Sequence, residues 1–194
     1  MKKLLIILLA GVFIAGCSND DTSNESDTDN DQVTDGNGTE DESTDNDDSE
    51  RRKDVYQIGE TAKTTSSSYG FPYEITVNDF EVTTDEVDGY SMDDFDSFDD
   101  DVFVVVNVTL KNTGDKPFIP NDKISAQLIG ELISETSYDE FFTEREEELE
   151  PGEEITGNVV YLTDSLYEND VVYFTYEAEA TKEEVKFELP VPEK

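Results

Sequence analysis

The chain has 194 residues, with 50 acidic and 13 basic side chains, no His, no Trp and one Cys, for a formal net charge of −37. That charge excludes nucleic acid as a direct partner, because affinity there rests on Lys and Arg neutralising phosphates. The missing His excludes imidazole catalysis and His metal ligands, and a single Cys excludes internal disulfides and Cys-based zinc sites.

The chain opens Met1-Lys2-Lys3 and is then apolar from Leu4 to Ala15. A basic start followed by a short apolar run is a secretory signal layout, too short for a span that needs about 20 apolar residues. It ends Ile14-Ala15-Gly16-Cys17, which resembles a bacterial lipobox. The resemblance implies a signal peptide over 1–16, cleavage before Cys17 and a diacylglyceryl group on its thiol. Two acyl chains anchor stably where one binds marginally. The membrane is then a partner through Cys17. The expected location is the outer face of the cytoplasmic membrane, exposed to the cell wall and extracellular space.

Residues 17–50 follow as a tether. From Ser18 to Glu50 there are 14 carboxylates, no basic residue and one larger apolar residue, Val33. Such a segment buries too little apolar surface to offset its ordering entropy, so disorder is expected. Like-charge repulsion extends it, to a contour of about 110 Å at most. A plain spacer is the simplest role, since no Ca²⁺ loop spacing is present.

Residues 51–194 carry the other 36 acids with 11 bases, a net of −25, and change character to one folded domain. The first strand is expected over Tyr56–Ala62. Tyr73-Glu-Ile-Thr-Val77 alternates apolar and polar, and Phe80 and Val82 then switch parity, which predicts a bulge near Asn78-Asp79. Val102–Leu110 is the strongest strand: its even positions are apolar throughout, and its odd positions are apolar at Phe103 and Val105 but polar at Asn107 and Thr109. One half should be buried on both faces and the other on one. Asn112-Thr-Gly-Asp115 ends it with turn chemistry.

A fourth strand begins at Ile124, Ala126 and Leu128. Pro151-Gly152 suits the centre of a type II turn. Ile155–Leu162, then Val172 to Ala178, then Val185 to Leu189 complete about seven strands. Frequent turns and few helical patterns predict an all-β, two-sheet sandwich.

Two short helices are expected inside this pattern. Ser91-Met-Asp-Asp94 has capping-box spacing, with Met92, Phe95 and Phe98 as an apolar face over the core. Ser137-Tyr-Asp-Glu140 repeats it, with Tyr138, Phe141 and Phe142. The first lies in Thr83–Asp101, which holds nine carboxylates in 19 residues. Ca²⁺ takes six to eight oxygens, so Asp93, Asp94, Asp96, Asp99, Asp100 and Asp101 are its candidate ligands here. The competing reading is a solvated, charged connection.

From Tyr56 to Leu189 the chain resembles telokin-like, or immunoprotective extracellular, immunoglobulin-like domains of Gram-positive surface lipoproteins. The resemblance is carried by Ile58-Gly59-Glu60, Tyr73–Val77, Val102–Gly114, Leu149-Glu-Pro-Gly-Glu153 and Gly157-Asn-Val-Val-Tyr161. It implies an immunoglobulin-like sandwich and brings no catalytic residues. The expected function is a non-enzymatic, lipid-anchored module that binds or supports an extracellular protein or cell-wall partner, without a cofactor. A Ca²⁺-binding protein using residues 85–101 is the alternative. A carboxylate-based hydrolase is the third: it needs two acids at a defined separation, and 50 acids place carboxylates side by side without any function. Tyrosines on strands could form a sugar platform, but core packing accounts for them equally.

Overall fold

The computed structural model describes residues 53–194, within the unit Asp48–Lys194. The expected signal peptide, Cys17 and the tether lie outside the described residues. The alternating segments form eight strands: β1 Thr61–Thr65, β2 Pro72–Thr83, β3 Val102–Asn112, β4 Ala126–Ile129, β5 Ser134–Thr136, β6 Glu154–Thr163, β7 Val171–Tyr176 and β8 Val185–Pro190. They make two four-stranded antiparallel sheets, β1-β2-β3-β6 and β5-β4-β7-β8. Strands β3 and β6 are neighbours although the two between them in sequence lie in the other sheet. Crossing between sheets in this way is a Greek-key connection.

Several boundaries differ from expectation, and β7 ends at Tyr176 and not at Ala178 because Glu177 lies at φ +53°. Tyr56 does not open β1. It makes a parallel bridge with Phe187 of β8, and a turn closed by Glu60 N–H to Gln57 O at 3.0 Å then carries the chain across to the first sheet. Gly59 at φ +87° supplies the left-handed backbone that breaks the extended run. The fourth strand starts at Ala126 because Pro120–Lys123 forms one helical turn, with Pro at its first position. The eighth strand, β5, is only three residues long and pairs with β4 at a sheet edge. No alternation can be read over so short a stretch.

The bulge falls where the parity switch places it. Val77 pairs Val108, Asp79 pairs Asn107, and Asn78 is the extra residue. The bulge keeps both apolar sets of β2 on the inner face: Ile75 and Val77 are fully buried, and Phe80 and Val82 pack against the same core. Strand β3 is buried on both faces through Val106 and on one face after it.

The double burial of β3 arises from a second core. The main core lies between the sheets and is built on residues such as Val104, Val106, Tyr161, Phe174 and Phe187. On the outer face of the first sheet, Phe103, Val105 and Val160 are covered by Val87 and Phe141, with Tyr90, Met92, Phe95 and Tyr138 packed around them. Burying each large apolar side chain contributes about 1.5–3 kcal/mol. The connection from β2 to β3 is therefore packed down on the sheet. Phe98 does not join it and is 79% exposed, which corrects its expected place over the core.

Both expected helices shorten to single 3-10 turns, Met92–Asp94 and Asp139–Phe141. Tyr138, Phe141 and Phe142 do not share one face. Phe141 enters the outer core and Phe142 the inner one. The ring of Phe142 lies against Gly157 of β6, where an added Cβ would come within 2.3 Å of it.

Candidate functional site

The acidic connection is the region the sequence singles out, and its geometry is well defined. Ser91 donates from its backbone N–H and its hydroxyl to Asp94 Oδ2, at 2.8 and 2.9 Å. Those bonds, the backbone one first, hold the Asp94 carboxyl below its usual range. Phe98 N–H donates to Asp101 Oδ2 at 2.7 Å. Asp93, Asp96, Asp99 and Asp100 are exposed. Among the described residues, no three His, Cys, Asp or Glu side chains come together to hold a metal ion. The six aspartates proposed as Ca²⁺ ligands are not gathered into a cage, because Met92 and Phe95 turn inward and leave the carboxylates splayed towards solvent.

Beside this connection lies an open acidic shelf of about 580 Å³, lined by Asp79, Glu81, Asp85, Glu86 and Asp88 above Asn107 and Asn158. Its floor is an amide relay. Asn78 Nδ2 donates to Asn107 Oδ1 at 2.9 Å, Asn107 Nδ2 to Asn158 Oδ1 at 2.8 Å, and Asn158 Nδ2 to Asp88 Oδ2 at 2.9 Å. The next row of the sheet aligns Thr61, Thr76, Thr109 and Thr156, one from each strand. These side chains satisfy one another, as polar groups on a sheet face do.

A cleft of different chemistry forms from the β1–β2 hairpin and the connection between β3 and β4. It has a volume of about 360 Å³ and is lined by Tyr69, Phe71, Phe118, Ile119, Lys116 and Lys123, with Asp122 and Glu148 at its margin. Phe71 and Phe118 stack with centroids 4.1 Å apart and planes 22° apart. Tyr69 extends the stack, 6.4 Å and 18° from Phe71, and is 55% exposed. The ammonium of Lys123 stands 4.3 Å above the Tyr69 ring, a cation–π geometry.

Two polar clamps hold this cleft open. The first is Glu177, just past β7, at φ +53°. Its Oε2 accepts from Ser67 N–H at 2.9 Å and Ser67 Oγ at 2.6 Å, and its Oε1 from Tyr73 Oη at 2.9 Å. That fixes the hairpin carrying Tyr69 and Phe71 to the second sheet. The hairpin closes with Gly70 N–H to Ser66 O at 2.8 Å, Gly70 lying at φ +75°. The second clamp is Asn112, fully buried at the end of β3. Its Nδ2 donates to Lys116 O and Leu149 O, both at 2.8 Å, and its Oδ1 accepts from Gly114 N–H at 2.9 Å. Leu149 in turn pairs with Phe118, through Leu149 N–H to Phe118 O at 2.9 Å. Asn112 thereby sets the strip that carries Lys116 and Phe118.

Sequence reading finds Asn112 as a turn signal but misses the cleft. Its aromatic residues sit in two connections separated by all of β2 and β3. Their one visible trace is composition: Tyr69, Phe71 and Phe118 are large aromatics in turn segments, where polar residues are the rule.

Comparison with known proteins places residues 56–184 as a match to the family described as Domain of unknown function (DUF4352). The chain is similar to a solved conserved hypothetical protein from Bacillus anthracis, at 19% identity over 71% of this chain and 95% of that one, with a TM-score of 0.46. It is also similar to an uncharacterized β-sandwich protein from Clostridium difficile 630, at 17% identity over 71% and 95% of the two chains, with a TM-score of 0.40. No curated protein matches it.

Proposed function

We propose, for a chain that belongs to the DUF4352 family, the role of a lipid-anchored, non-catalytic binding module on the outer surface of a Gram-positive cell. The anchor rests on the Lys-rich start, the apolar run and Cys17. The sandwich is immunoglobulin-like in this reading, supported by β3 and β6 in one sheet, β4, β7 and β8 in the other, and an N-terminal segment that touches β8 before joining the first sheet.

The observation that carries the binding role is the aromatic cleft: a stack of three rings, partly open to solvent and braced by Glu177 and Asn112. Ligand sites are typically concave, mostly apolar and pre-formed, at about 300–1,000 Å³. Polar clamps behind the aromatic stack pre-organise it, which lowers the ordering cost of binding.

The test is titration of the full chain with the neutral fluorophore N-phenyl-1-naphthylamine. Tyr69→Ala removes the open end of the stack and should weaken binding about tenfold, the effect of losing about 1.4 kcal/mol. Equal affinity in the two proteins would overturn the cleft as a binding site. The anchor is tested separately: Cys17→Ala should abolish incorporation of alkyne-labelled palmitate and release the protein from the membrane fraction.

A further inference from the structure

Resting on the reading of the cleft as a ligand site, we infer that its ligand is a small anion: a flat apolar body of one or two rings bearing one acidic group. The domain is poor in cations, and most of the described ones are matched. Lys53, Lys63, Lys111, Arg145 and Lys186 each have a carboxylate within 4.0 Å. Lys194 stands over the Tyr167 ring. Lys116, Lys123 and Lys182 differ: among the described residues none of the three has an acid at ion-pair distance, and of these only Lys116 and Lys123 stand in a cleft with aromatic walls, which Asp122 and Glu148 also line. Both lysines therefore remain able to take an incoming anion.

The local field supports this. Two lysines and two acids make the cleft margin formally neutral, within residues 51–194 that carry a net charge of −25. An acidic ligand repelled over most of so acidic a surface meets a neutral margin here. Lys123 is half-buried, with the Tyr69 ring covering one side of its ammonium. Partial desolvation strengthens a charge-assisted contact on the other side. The floor of Phe71 and Phe118 supplies stacking for the apolar body. At about 360 Å³ the cleft suits a small molecule. A second copy of this chain is a poor occupant, since two strongly acidic domains repel each other.

The experiment compares two probes with one body. 1-Anilinonaphthalene-8-sulfonate differs from N-phenyl-1-naphthylamine only by its sulfonate. Each is titrated into the full chain in low salt, with the wild type, Tyr69→Ala and Lys116→Gln/Lys123→Gln. Contributions from the N-terminal segment are common to all three and cancel in the differences. The sulfonate probe should bind the wild type at least about tenfold tighter than the neutral one. The double lysine variant should erase that preference, the sulfonate probe losing at least about tenfold more affinity than the neutral one, and its melting temperature, checked by circular dichroism, should match the wild type. If the neutral probe binds and depends on Tyr69 but the sulfonate adds nothing, the anion inference falls and the binding site stands. If neither probe depends on Tyr69, both fall. A preference that survives loss of both lysines also overturns the inference.

Discussion

The acidic connection over the first sheet and the aromatic cleft are built in opposite ways. The connection is held by apolar side chains and shows its charges to water: Phe95 alone meets Tyr90, Phe103, Tyr138 and Phe141, with centroids 4.9–6.0 Å apart. The cleft is braced by polar clamps and shows the Tyr69 ring to water, with Phe71 half-buried and Phe118 buried behind it. Charge density in a segment thus marks what faces solvent, and an aromatic cluster beneath it marks what anchors it. A site is better sought where the anchoring is polar and the open surface apolar, because such a surface is stable only if something rigid behind it resists collapse.

The largest expected effect breaks the cleft from behind. Asn112→Ala removes three hydrogen bonds and leaves the Leu149 carbonyl with only the long 3.4 Å bond from Phe118 N–H. An intramolecular hydrogen bond contributes about 1 kcal/mol net, so losing three at one buried amide should cost the fold about 3 kcal/mol. Thermal unfolding measures the loss, and N-phenyl-1-naphthylamine binding should weaken with it. A variant as stable as the wild type would show that the clamp does not set the strip. Phe95→Ala comes next and acts only on the other region. Removing a half-buried ring at the centre of an aromatic cluster should cost about 2 kcal/mol. Limited proteolysis should then cut within residues 84–101 while probe binding stays unchanged. A loss of probe binding in Phe95→Ala would join the two regions and undo the contrast.

How legible these regions were follows from the range of the interactions. Alternation reports which face of a strand is buried, so the longer strands, the Asn78 bulge and the double burial of β3 could be read from neighbours in sequence. The Ser91–Asp94 capping box is equally local. What lay beyond reach depended on pairs distant in sequence. Phe142 meets Gly157 on β6 and leaves Phe141 to the other core; Glu177 meets Ser67 and Tyr73 across the sandwich; Phe71 meets Phe118. An acidic run seen alone suggests a cation site, since nothing local says that Met92 and Phe95 will turn the carboxylates apart.

The smallest effect measures what the acidic connection costs the fold. Burial first, and then the charges of Asp101 and Asp164, raise the carboxyl of Glu135 on β5 above its ordinary 4.5. A carboxyl that holds its proton more tightly folded than unfolded is destabilising while charged. The penalty is fully present near neutral pH and is relieved as pH falls through the raised value towards 4.5. Glu135→Gln removes the charge and keeps the shape, so at pH 7 it should raise the melting temperature by about 1 °C. The gain should shrink as the pH is lowered and vanish once the wild-type carboxyl is protonated in both states. Asp101→Asn should give part of the same gain, and the two together less than their sum, because they relieve one repulsion. Full additivity would mean that Asp101 does not act on Glu135 and that the acidic connection is electrostatically independent of the second sheet.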